Sequence, residues 1–286
     1  MEKIPPSELT PILDYLMEHR GLDFSGVHPD MLVRRMGHRL EALNCNDFKD
    51  YFSFIQKNTK EIDRLLNAIT INVSRFFRDP LTFELLAERI LPTILRQKVL
   101  ARDDSLRIWS AGCAMGEEAY SLAILIQELL LKEGRTMKLH LFGTDIDTRI
   151  LGKAAKGVYP FASVENVKYG LLKKYFIPAG NAFMLVPEIQ KQVTFSFYDM
   201  MDKGRLVPPD SIFGNFDLIC CRNLLIYFNT GYQETIFAKL HRALAQNGYL
   251  ILGEAESPPH SQENFNRVVE FRPIYQKLQK KRTRCN

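Results

Sequence analysis

The sequence predicts an α/β protein in which a sheet with crossover helices follows a small N-terminal helical domain. Residues 8–66 show apolar positions at helical spacing without a convincing strand, whereas from about residue 105 short apolar runs alternate with longer helical ones. Residues 181–197 contain two short extended stretches, which predict a small antiparallel β excursion inserted into the larger domain.

The N-terminal helices are predicted from their end signals. The stretch SELTPILDYLMEHRG ends at a glycine, and DMLVRRMGHRLEALN and NDFKDYFSFIQKN each begin at an Asp or Asn that can cap a helix. We assign residues 1–68 to the helical domain and residues 69–92 to a connector whose helix ends near Pro92. Residues 93–286 then form the sheet domain, in which a helix at about 165–176 precedes a β excursion near 177–197.

Apolar runs supply the strands of the predicted sheet: LRIWSAG, KLHLFGTD, FDLICCRN, GYLILGEAE and a final FRPIYQKL. In an open α/β sheet, ligands bind beyond the carboxyl ends of the strands, near the point where the strand order reverses. Polar residues that directly follow these runs are therefore the candidates for a functional site.

The first strand runs into a small-residue turn, in the stretch IWSAGCAMGEEAYS. The turn spans Gly112 to Gly116, and Glu117 and Glu118 open the next helix. It lacks the Gly-Lys-Ser/Thr signature of a P-loop and the GxGxxG pattern, and an acidic helix start would repel a pyrophosphate. A ligand with a ribose and a cationic group but no phosphate suits the turn, and S-adenosylmethionine has both features. The helix dipole alone also favours glutamates there, so the spacing leaves a ligand role open.

Two acidic residues follow the second strand, in KLHLFGTDID. Asp145 falls at the strand end, where a carboxylate can accept hydrogen bonds from ribose hydroxyls. The alternative is that one of the pair caps the next helix, a role for which Asp147 is better placed than Asp145.

The strand in FDLICCRNLLIYF is apolar until it stops at Arg222 and Asn223. Buried parallel strands are apolar throughout, so this polar pair marks the carboxyl end of the strand. The Asn223 amide offers both a donor and an acceptor. Tyr227 follows four residues later, and the alternative for it is a core aromatic whose hydroxyl is satisfied.

The connector INVSRFFRDP places polar residues among apolar ones. We expect Phe76 and Phe77 to fix it on the sheet domain and to leave Arg78 pointing into the cleft, where a guanidinium can hold a carboxylate. The alternative for Arg78 is a salt bridge at a domain interface.

Composition limits the class of protein. The 286 residues carry 38 Lys and Arg against 33 Asp and Glu, a net charge of +5 that is mild for a nucleic-acid binder. Five cysteines show no CxxC pair and no zinc spacing, which indicates a reduced, cytoplasmic protein without a metal site. There is no signal-peptide core and no apolar window that could cross a bilayer. We expect a soluble protein without nucleic-acid partner or membrane insertion, and take a monomer as the default.

Taken in order, these segments resemble the chemotaxis receptor methyltransferases of the CheR type, which use S-adenosylmethionine to methylate glutamate side chains. The resemblance covers nearly the whole chain, and its most specific pieces are INVSRFFRDP, WSAGCAMGEEAYSLAI, GTDIDTRIL, DLICCRNLLIYF and GYLILGEAES. It implies a Rossmann-like S-adenosylmethionine-dependent methyltransferase sheet, with S-adenosylhomocysteine as the product of the cofactor.

The resemblance also implies a set of cofactor-binding residues: Asn72, Ser74, Arg78, Glu117, Asp145, Asp199, Met200, Arg222 and Asn223. Arg78 and Tyr227 are the catalytic candidates, as residues that line the methyl-transfer site. The family usually carries Asn-Leu where this chain has Asp199 and Met200. Met115 replaces a usual Ser or Thr and Ala119 a usual Pro, and we expect these two departures to alter affinity without removing the site.

One predicted helix carries a basic flank. At about 100° per residue, DMLVRRMGHRLEAL places its apolar residues on one stripe and spreads four basic residues from the edge of that stripe. The stripe contains Leu32, Met36, Leu40 and Leu43, and the flank contains Arg34, Arg35, His38 and Arg39. An ordinary solvated face is the alternative. The resemblance implies that the flank faces the methylation region of its partner, the cytoplasmic domain of a methyl-accepting chemoreceptor.

Two other functions compete with a receptor methyltransferase. A non-catalytic module could bind S-adenosylmethionine or S-adenosylhomocysteine and signal by binding alone, but the retained Arg78, Glu117, Asp145 and Asn223 argue against it. A nucleic-acid methyltransferase would fit the positive charge. The sequence has no NPPY-like or catalytic-cysteine motif, because Cys220 and Cys221 lie inside an apolar strand.

Overall fold

Residues 6–70, 74–202, 204–211, 214–259 and 265–278 are described by the structure, a computed structural model. The chain divides into a helical unit, Met1–Asn72 with Leu225–Thr235, and a larger unit, Val73–Leu224 with Ile236–Asn286. Within the described ranges, no helix combines the length and the apolar character that a bilayer-spanning segment requires.

The helical unit is built from amphipathic helices. Its described helices are α1 (Thr10–Arg20), α2 (Pro29–Leu43), α3 (Phe48–Lys57) and α4 (Lys60–Ile69). The predicted glycine stop is confirmed, because Gly21 ends α1 with a φ of +67° and donates its N–H to the carbonyl of Met17. Asp47 caps α3 by accepting the N–H of Asp50 at 2.8 Å.

The predicted cap of α2, Asp30, is wrong by two residues, because His28 occupies the cap position. The helix begins at Pro29, and Asp30 lies in its first turn, where it provides no cap. Proline suits this position because its φ is already helical and the N–H that it lacks would have no partner inside the helix.

The larger unit contains the strands of two sheets. In chain order they are β1 (Ser105–Ala111), β2 (Lys138–Asp145), β3 (Val158–Pro160), β4 (Phe176–Ala179), β5 (Ala182–Leu185), β6 (Val193–Phe197), β7 (Phe216–Cys221), β8 (Leu244–Leu252), β9 (Phe265–Val269) and β10 (Ile274–Lys277). The main sheet has the order β6-β2-β1-β7-β8-β10-β9. Its first five strands are parallel, and β10 runs antiparallel to both of its neighbours. The strand order reverses between β1 and β7, which is where an open sheet of this kind binds its ligand.

Helices connect these strands. They are α5 (Pro80–Leu85), α6 (Leu91–Leu100), α7 (Glu117–Lys132), α8 (Thr148–Lys156), α9 (Phe161–Val164), α10 (Tyr169–Tyr175), α11 (Pro187–Gln190) and α12 (Thr230–Ala243). The prediction that the connector helix ends near Pro92 is wrong, because α5 continues through a π-helical turn, Leu86–Ile90, into α6. Pro92 has no N–H with which to continue the α-helical hydrogen bonds, and the wider π turn allows the helix to continue in spite of this gap.

The β excursion is also placed differently from the prediction. The small antiparallel sheet has the order β3-β5-β4, so it includes Val158–Pro160, whereas Val193–Phe197 pairs in parallel with β2 at the edge of the main sheet. The helix predicted at about 165–176 is α10, which begins later, at Tyr169, and the short helix α9 precedes the predicted range. Alternating apolar residues predict a strand but do not tell which sheet it joins, because the partner strand is distant in sequence.

Candidate functional site

Parallel strands bring several predicted residues to one edge of the main sheet. The turn after β1, Asp145 at the end of β2, Asp199 after β6 and Arg222 after β7 all follow the carboxyl ends of neighbouring strands. Since β1 and β7 flank the reversal of strand order, this edge is the candidate site.

The glycine turn is held against β2. The N–H groups of Gly112 and Cys113 both donate to the Thr144 carbonyl, at 2.8 and 2.9 Å. Gly116 has a φ of +87°, and a Cβ there would lie 2.8 Å from the Phe195 ring. Glycine is therefore required at Gly116 both by its backbone conformation and by the space around it.

The two glutamates of α7 have different environments. Glu118 accepts a hydrogen bond from the Ser110 hydroxyl at 2.8 Å and pairs with Arg222 at 3.3 Å. Glu117 is only 1% exposed, and its Oε2 has no hydrogen-bond partner among the described residues. Glu117 is therefore the glutamate that keeps a carboxylate oxygen for a ligand.

Burial raises the pKa of Glu117 from its ordinary value of 4.5 to about 7, although its own N–H and Ser163 partly offset the shift by hydrogen bonding. A bound cation would favour the ionised form and lower this pKa. The ammonium and sulfonium groups of S-adenosylmethionine are cations of this kind, so the environment of Glu117 fits that ligand.

The connector crosses the start of α7. Phe76 and Phe77 are buried in the core of the larger unit, which confirms that they fix the connector on it. The Phe77 N–H donates to the Ser121 hydroxyl at 3.0 Å, and that hydroxyl donates to the Glu117 carbonyl at 2.6 Å. The Arg78 side chain is exposed. Arg78 therefore directly follows Phe77, whose N–H is linked through the Ser121 hydroxyl to the Glu117 carbonyl.

Two other connector residues, Ser74 and Asn72, belong to the predicted cofactor-binding set. Ser74 is half-buried, and Asn72 lies outside the described residues. Their roles in cofactor binding stay predictions.

Arg222 is enclosed by protein groups. Its guanidinium donates to the Arg78 carbonyl at 3.0 Å, and it lies 3.5 Å from the Asp79 carboxylate in addition to its pair with Glu118. The same guanidinium lies 5.5 Å above the Phe83 ring. These contacts join the end of β7 to the connector, and contact between Arg222 and the cofactor stays a prediction.

The two aspartates after β2 have separate roles. Asp147 caps α8 by accepting the Arg149 N–H at 3.0 Å, which confirms the capping alternative for that residue. Asp145 accepts the N–H of Ala114 at 2.9 Å and that of Asp147 at 3.1 Å, and burial raises its pKa. Asp145 thus joins the glycine turn to the end of β2.

We expect Asp145→Ala to weaken binding of S-adenosylhomocysteine by about 10- to 100-fold, because hydrogen bonds to a charged acceptor are among the stronger ones. Titration calorimetry would measure the loss. Asp147→Ala is the matched control, since it removes a helix cap and lowers stability by about 1 kcal/mol without touching the ligand. An affinity of Asp145→Ala within about twofold of wild type would show that Asp145 only shapes the turn.

Lys239, which the sequence analysis did not single out, fixes the loop after β6 by hydrogen bonding. Met200 is buried, and Asp199 accepts the Met201 N–H at 2.8 Å. The buried ammonium of Lys239 donates to the carbonyls of Met200 and Asp202, at 2.7 and 2.6 Å. Burial lowers the pKa of Lys239 despite these contacts and the nearby Asp202 and Asp199 carboxylates. The sequence signal that could have identified Lys239 is its position on the apolar face of α12.

Two further predicted residues follow β7, and they belong to different units of the chain. Asn223 is half-buried and has a φ of +58°, a conformation that asparagine tolerates better than most residues. Tyr227 belongs to the helical unit, where its carbonyl accepts the His28 N–H at 2.9 Å. A catalytic role for Tyr227 stays a prediction.

The basic flank of α2 is smaller than the sequence indicates. Arg39 donates from Nε and Nη2 to the two carboxylate oxygens of Glu61, at 2.8 and 2.9 Å, and Glu61 is 1% exposed. The Tyr51 hydroxyl donates to the same carboxylate at 3.1 Å. Arg34 and His38 are exposed, and Arg35 is half-buried. Arg39 thus serves an internal ion pair, because the buried Glu61 carboxylate requires a cation.

Family models match both parts of the chain. The model described as CheR methyltransferase, SAM binding domain, matches residues 72–272, and the model described as CheR methyltransferase, all-alpha domain, matches residues 7–70. The chain belongs to the CheR methyltransferase family. The predicted family, the α/β methyltransferase fold and S-adenosylmethionine as cofactor are thereby confirmed.

Several relatives align with this CheR methyltransferase over most of its length. The chemotaxis protein methyltransferase of Salmonella typhimurium is 32% identical over 91% of this chain and 85% of the relative. Chemotaxis protein methyltransferase 2 of Vibrio cholerae is 31% identical over 91% of this chain and 88% of the relative. An uncharacterized 104.1 kDa protein of Rhodobacter capsulatus is 30% identical over 96% of this chain, which spans only 28% of that protein.

Proposed function

We propose that this protein is a protein-glutamate O-methyltransferase that modifies the cytoplasmic domains of methyl-accepting chemoreceptors. The observation that carries the proposal is the buried Glu117 carboxylate, whose Oε2 has no partner among the described residues, beside a glycine turn in a CheR-family chain. Relatives that align over most of their length are chemotaxis protein methyltransferases, which supports this substrate class.

The cofactor would lie along the strand-end edge of the larger unit. In this proposal Glu117 accepts from the cationic part of the cofactor, Asp145 accepts from its ribose, and Asp199, Met200 and Asn223 border the remainder. When bound, S-adenosylmethionine supplies an electrophilic methyl group, so that one carboxylate O–C bond forms while one S–C bond breaks and S-adenosylhomocysteine leaves as a neutral thioether.

The residues of this chain need not supply a strong general base. A glutamate side chain has a reference pKa of about 4.3 and is already ionised near pH 7. The task of the enzyme is to orient the carboxylate and to exclude water, and orientation can supply about 7–11 kcal/mol. We assign Arg78 to steering the incoming carboxylate, because its side chain is exposed and its backbone is anchored by Arg222. Tyr227 is the second residue that we assign to lining the transfer site.

The division of labour between the domains is part of the proposal. Residues 1–68 recognise the receptor, residues 69–92 contribute to the cofactor site, and residues 93–286 carry the methyltransferase sheet. On α2 we assign recognition to Arg34, Arg35 and His38, since Arg39 is engaged with Glu61. A positive helix flank suits an acidic receptor helix, and such receptor domains place the enzyme in the cytoplasm.

The test is transfer of labelled methyl from S-adenosylmethionine to a receptor cytoplasmic fragment. Only label that mild base releases as methanol is scored, because carboxyl esters hydrolyse under conditions that leave N-methyl groups intact. The control fragment has alanine in place of its methyl-accepting glutamates. Base-labile label that depends on those glutamates supports the proposal. Absence of such label from a protein that binds the cofactor and a cognate receptor would instead support a non-catalytic binding module.

A further inference from the structure

We propose that Glu256 is a positioning residue of the cofactor site, which acts by holding Asn223 in its binding conformation. The inference rests on the proposed role of Asn223 in that site. Glu256 lies in GYLILGEAES, one of the segments that carry the family resemblance. None of the roles described above belongs to Glu256.

Glu256 joins the chain beyond two strand ends. Its side chain is buried, and its Oε2 accepts the N–H of Gly253 at 2.7 Å and that of Asn223 at 2.9 Å. The Glu256 N–H in turn donates to the Gly253 carbonyl at 3.0 Å, which closes a tight turn. Cys221 and Leu252 are the last paired residues of β7 and β8, so one carboxylate oxygen bridges the two segments directly after that pair.

Gly253 makes this bridge possible. A Cβ at Gly253 would lie 2.8 Å from Glu256 Oε2, 2.9 Å from the Asn223 nitrogen and 2.9 Å from Asn223 Nδ2. The Asn223 amide therefore packs directly against the Gly253 backbone, and its orientation depends on the absence of a side chain there.

Asn223 needs this support because of its backbone conformation. Its φ of +58° is sparsely populated for residues other than glycine, and such conformations persist when their surroundings determine them. A carboxylate that accepts the Asn223 N–H makes a stronger bond than a neutral oxygen would. Glu256 thus fixes the backbone of Asn223, and Gly253 fixes the direction of its amide.

The test compares Glu256→Ala with Glu256→Gln by calorimetric titration with S-adenosylhomocysteine. We expect Glu256→Ala to weaken binding by about 10- to 100-fold. The magnitude is taken by analogy from metal sites, where removing a residue that orients a metal ligand lowers affinity by that factor. Glu256→Gln keeps an oxygen that can accept both N–H groups, and we expect its affinity to stay within about threefold of wild type. If Glu256→Ala does not fold, Glu256→Asp replaces it, because the shorter side chain cannot reach both N–H groups.

Asp217→Ala is the matched control for a loss of stability alone. Asp217 is a buried carboxylate at the opposite end of β7, where it accepts the Arg107 N–H at 2.9 Å and pairs with Lys98 at 2.8 Å. We expect this variant to lower the melting temperature and to keep its affinity for S-adenosylhomocysteine. Equal losses of affinity in Asp217→Ala and Glu256→Ala, unchanged affinity in Glu256→Ala, or failure of Glu256→Gln to restore it would each overturn the proposal.

These outcomes are separate from failure of the proposed function. The titration uses cofactor binding alone, so it is informative even if no receptor glutamate is methylated. A protein that binds S-adenosylhomocysteine but yields no base-labile ester contradicts the substrate proposal and leaves the role of Glu256 intact.

Discussion

Glu117→Gln is expected to weaken cofactor binding by about 10- to 100-fold and, in the same protein, to increase stability above pH 7 by about 3 kcal/mol. The first effect follows because glutamine removes the charge that a cationic ligand would pair with. The second follows because the buried Glu117 carboxylate, with its pKa raised to about 7, is costly to ionise. Calorimetric titration with S-adenosylmethionine and urea unfolding at a series of pH values would measure the two effects.

The sign of the stability change follows from linkage between ionisation and folding. In the unfolded chain Glu117 ionises near pH 4.5, whereas in the folded protein it holds its proton until about pH 7. The folded state therefore binds more protons between these values, and ionisation of Glu117 destabilises it increasingly as the pH rises through this window. Above pH 7 the cost is constant, so Glu117→Gln should match wild type near pH 4 and exceed it at pH 8.

Glu128→Gln is the matched control on the same helix. Burial opposes ionisation of Glu128, but hydrogen bonds from Lys174 and Tyr175 outweigh burial and lower its pKa. The same substitution there should reduce stability near neutral pH, where Glu117→Gln increases it. A Glu117→Gln protein that loses stability at pH 8, or that binds the cofactor as tightly as wild type, would contradict the role assigned to Glu117.

The protonation state of Glu117 can also be measured through cofactor binding by the wild-type protein. At pH 6 the carboxyl of the free protein is mostly protonated while the amino group of the cofactor is already charged, so binding should release much of one proton. Comparing binding enthalpies in buffers of different ionisation enthalpy measures this release. Glu117→Gln should abolish the proton release at pH 6.

Arg39→Glu is expected to destabilise the helical unit by about 3–5 kcal/mol, the cost of breaking a buried ion pair. The substitution leaves the Glu61 carboxylate without its bidentate partner and places a second negative charge beside it. Glu61 is 1% exposed, so water cannot replace the lost partner. Urea unfolding monitored by circular dichroism would show the loss, and receptor methylation would fall as a consequence of unfolding.

Arg34→Glu separates receptor recognition from stability. Arg34 lies on the same helix but is exposed, and surface substitutions of this kind change stability by about 0.5 kcal/mol or less. We expect it to reduce methylation of the receptor fragment while binding of S-adenosylhomocysteine and the unfolding midpoint stay unchanged. Normal stability in Arg39→Glu would show that the Glu61 pair is dispensable, and normal receptor methylation in Arg34→Glu would remove the flank from the recognition surface.

The sequence by itself determined the features that depend on neighbouring residues. The glycine turn between β1 and α7, the glycine stop at Gly21 and the fully buried β7 each follow from local chemistry, because turns, helix ends and strand burial are encoded within a few residues. The position of Asp145 at a strand end followed in the same way. With the parallel sheet, these signals predicted the strand-end edge that we propose as the cofactor site.

The tertiary structure alone decided how charged residues in that framework are used. Glu117 and Glu118 are adjacent in sequence, yet only Glu118 meets Ser110 and Arg222. Arg39 pairs with a carboxylate 22 residues away, and Glu256 reaches back 33 residues to Asn223. A charge becomes a ligand, an internal ion pair or a support according to what it meets once water is excluded, and those partners come from distant parts of the chain.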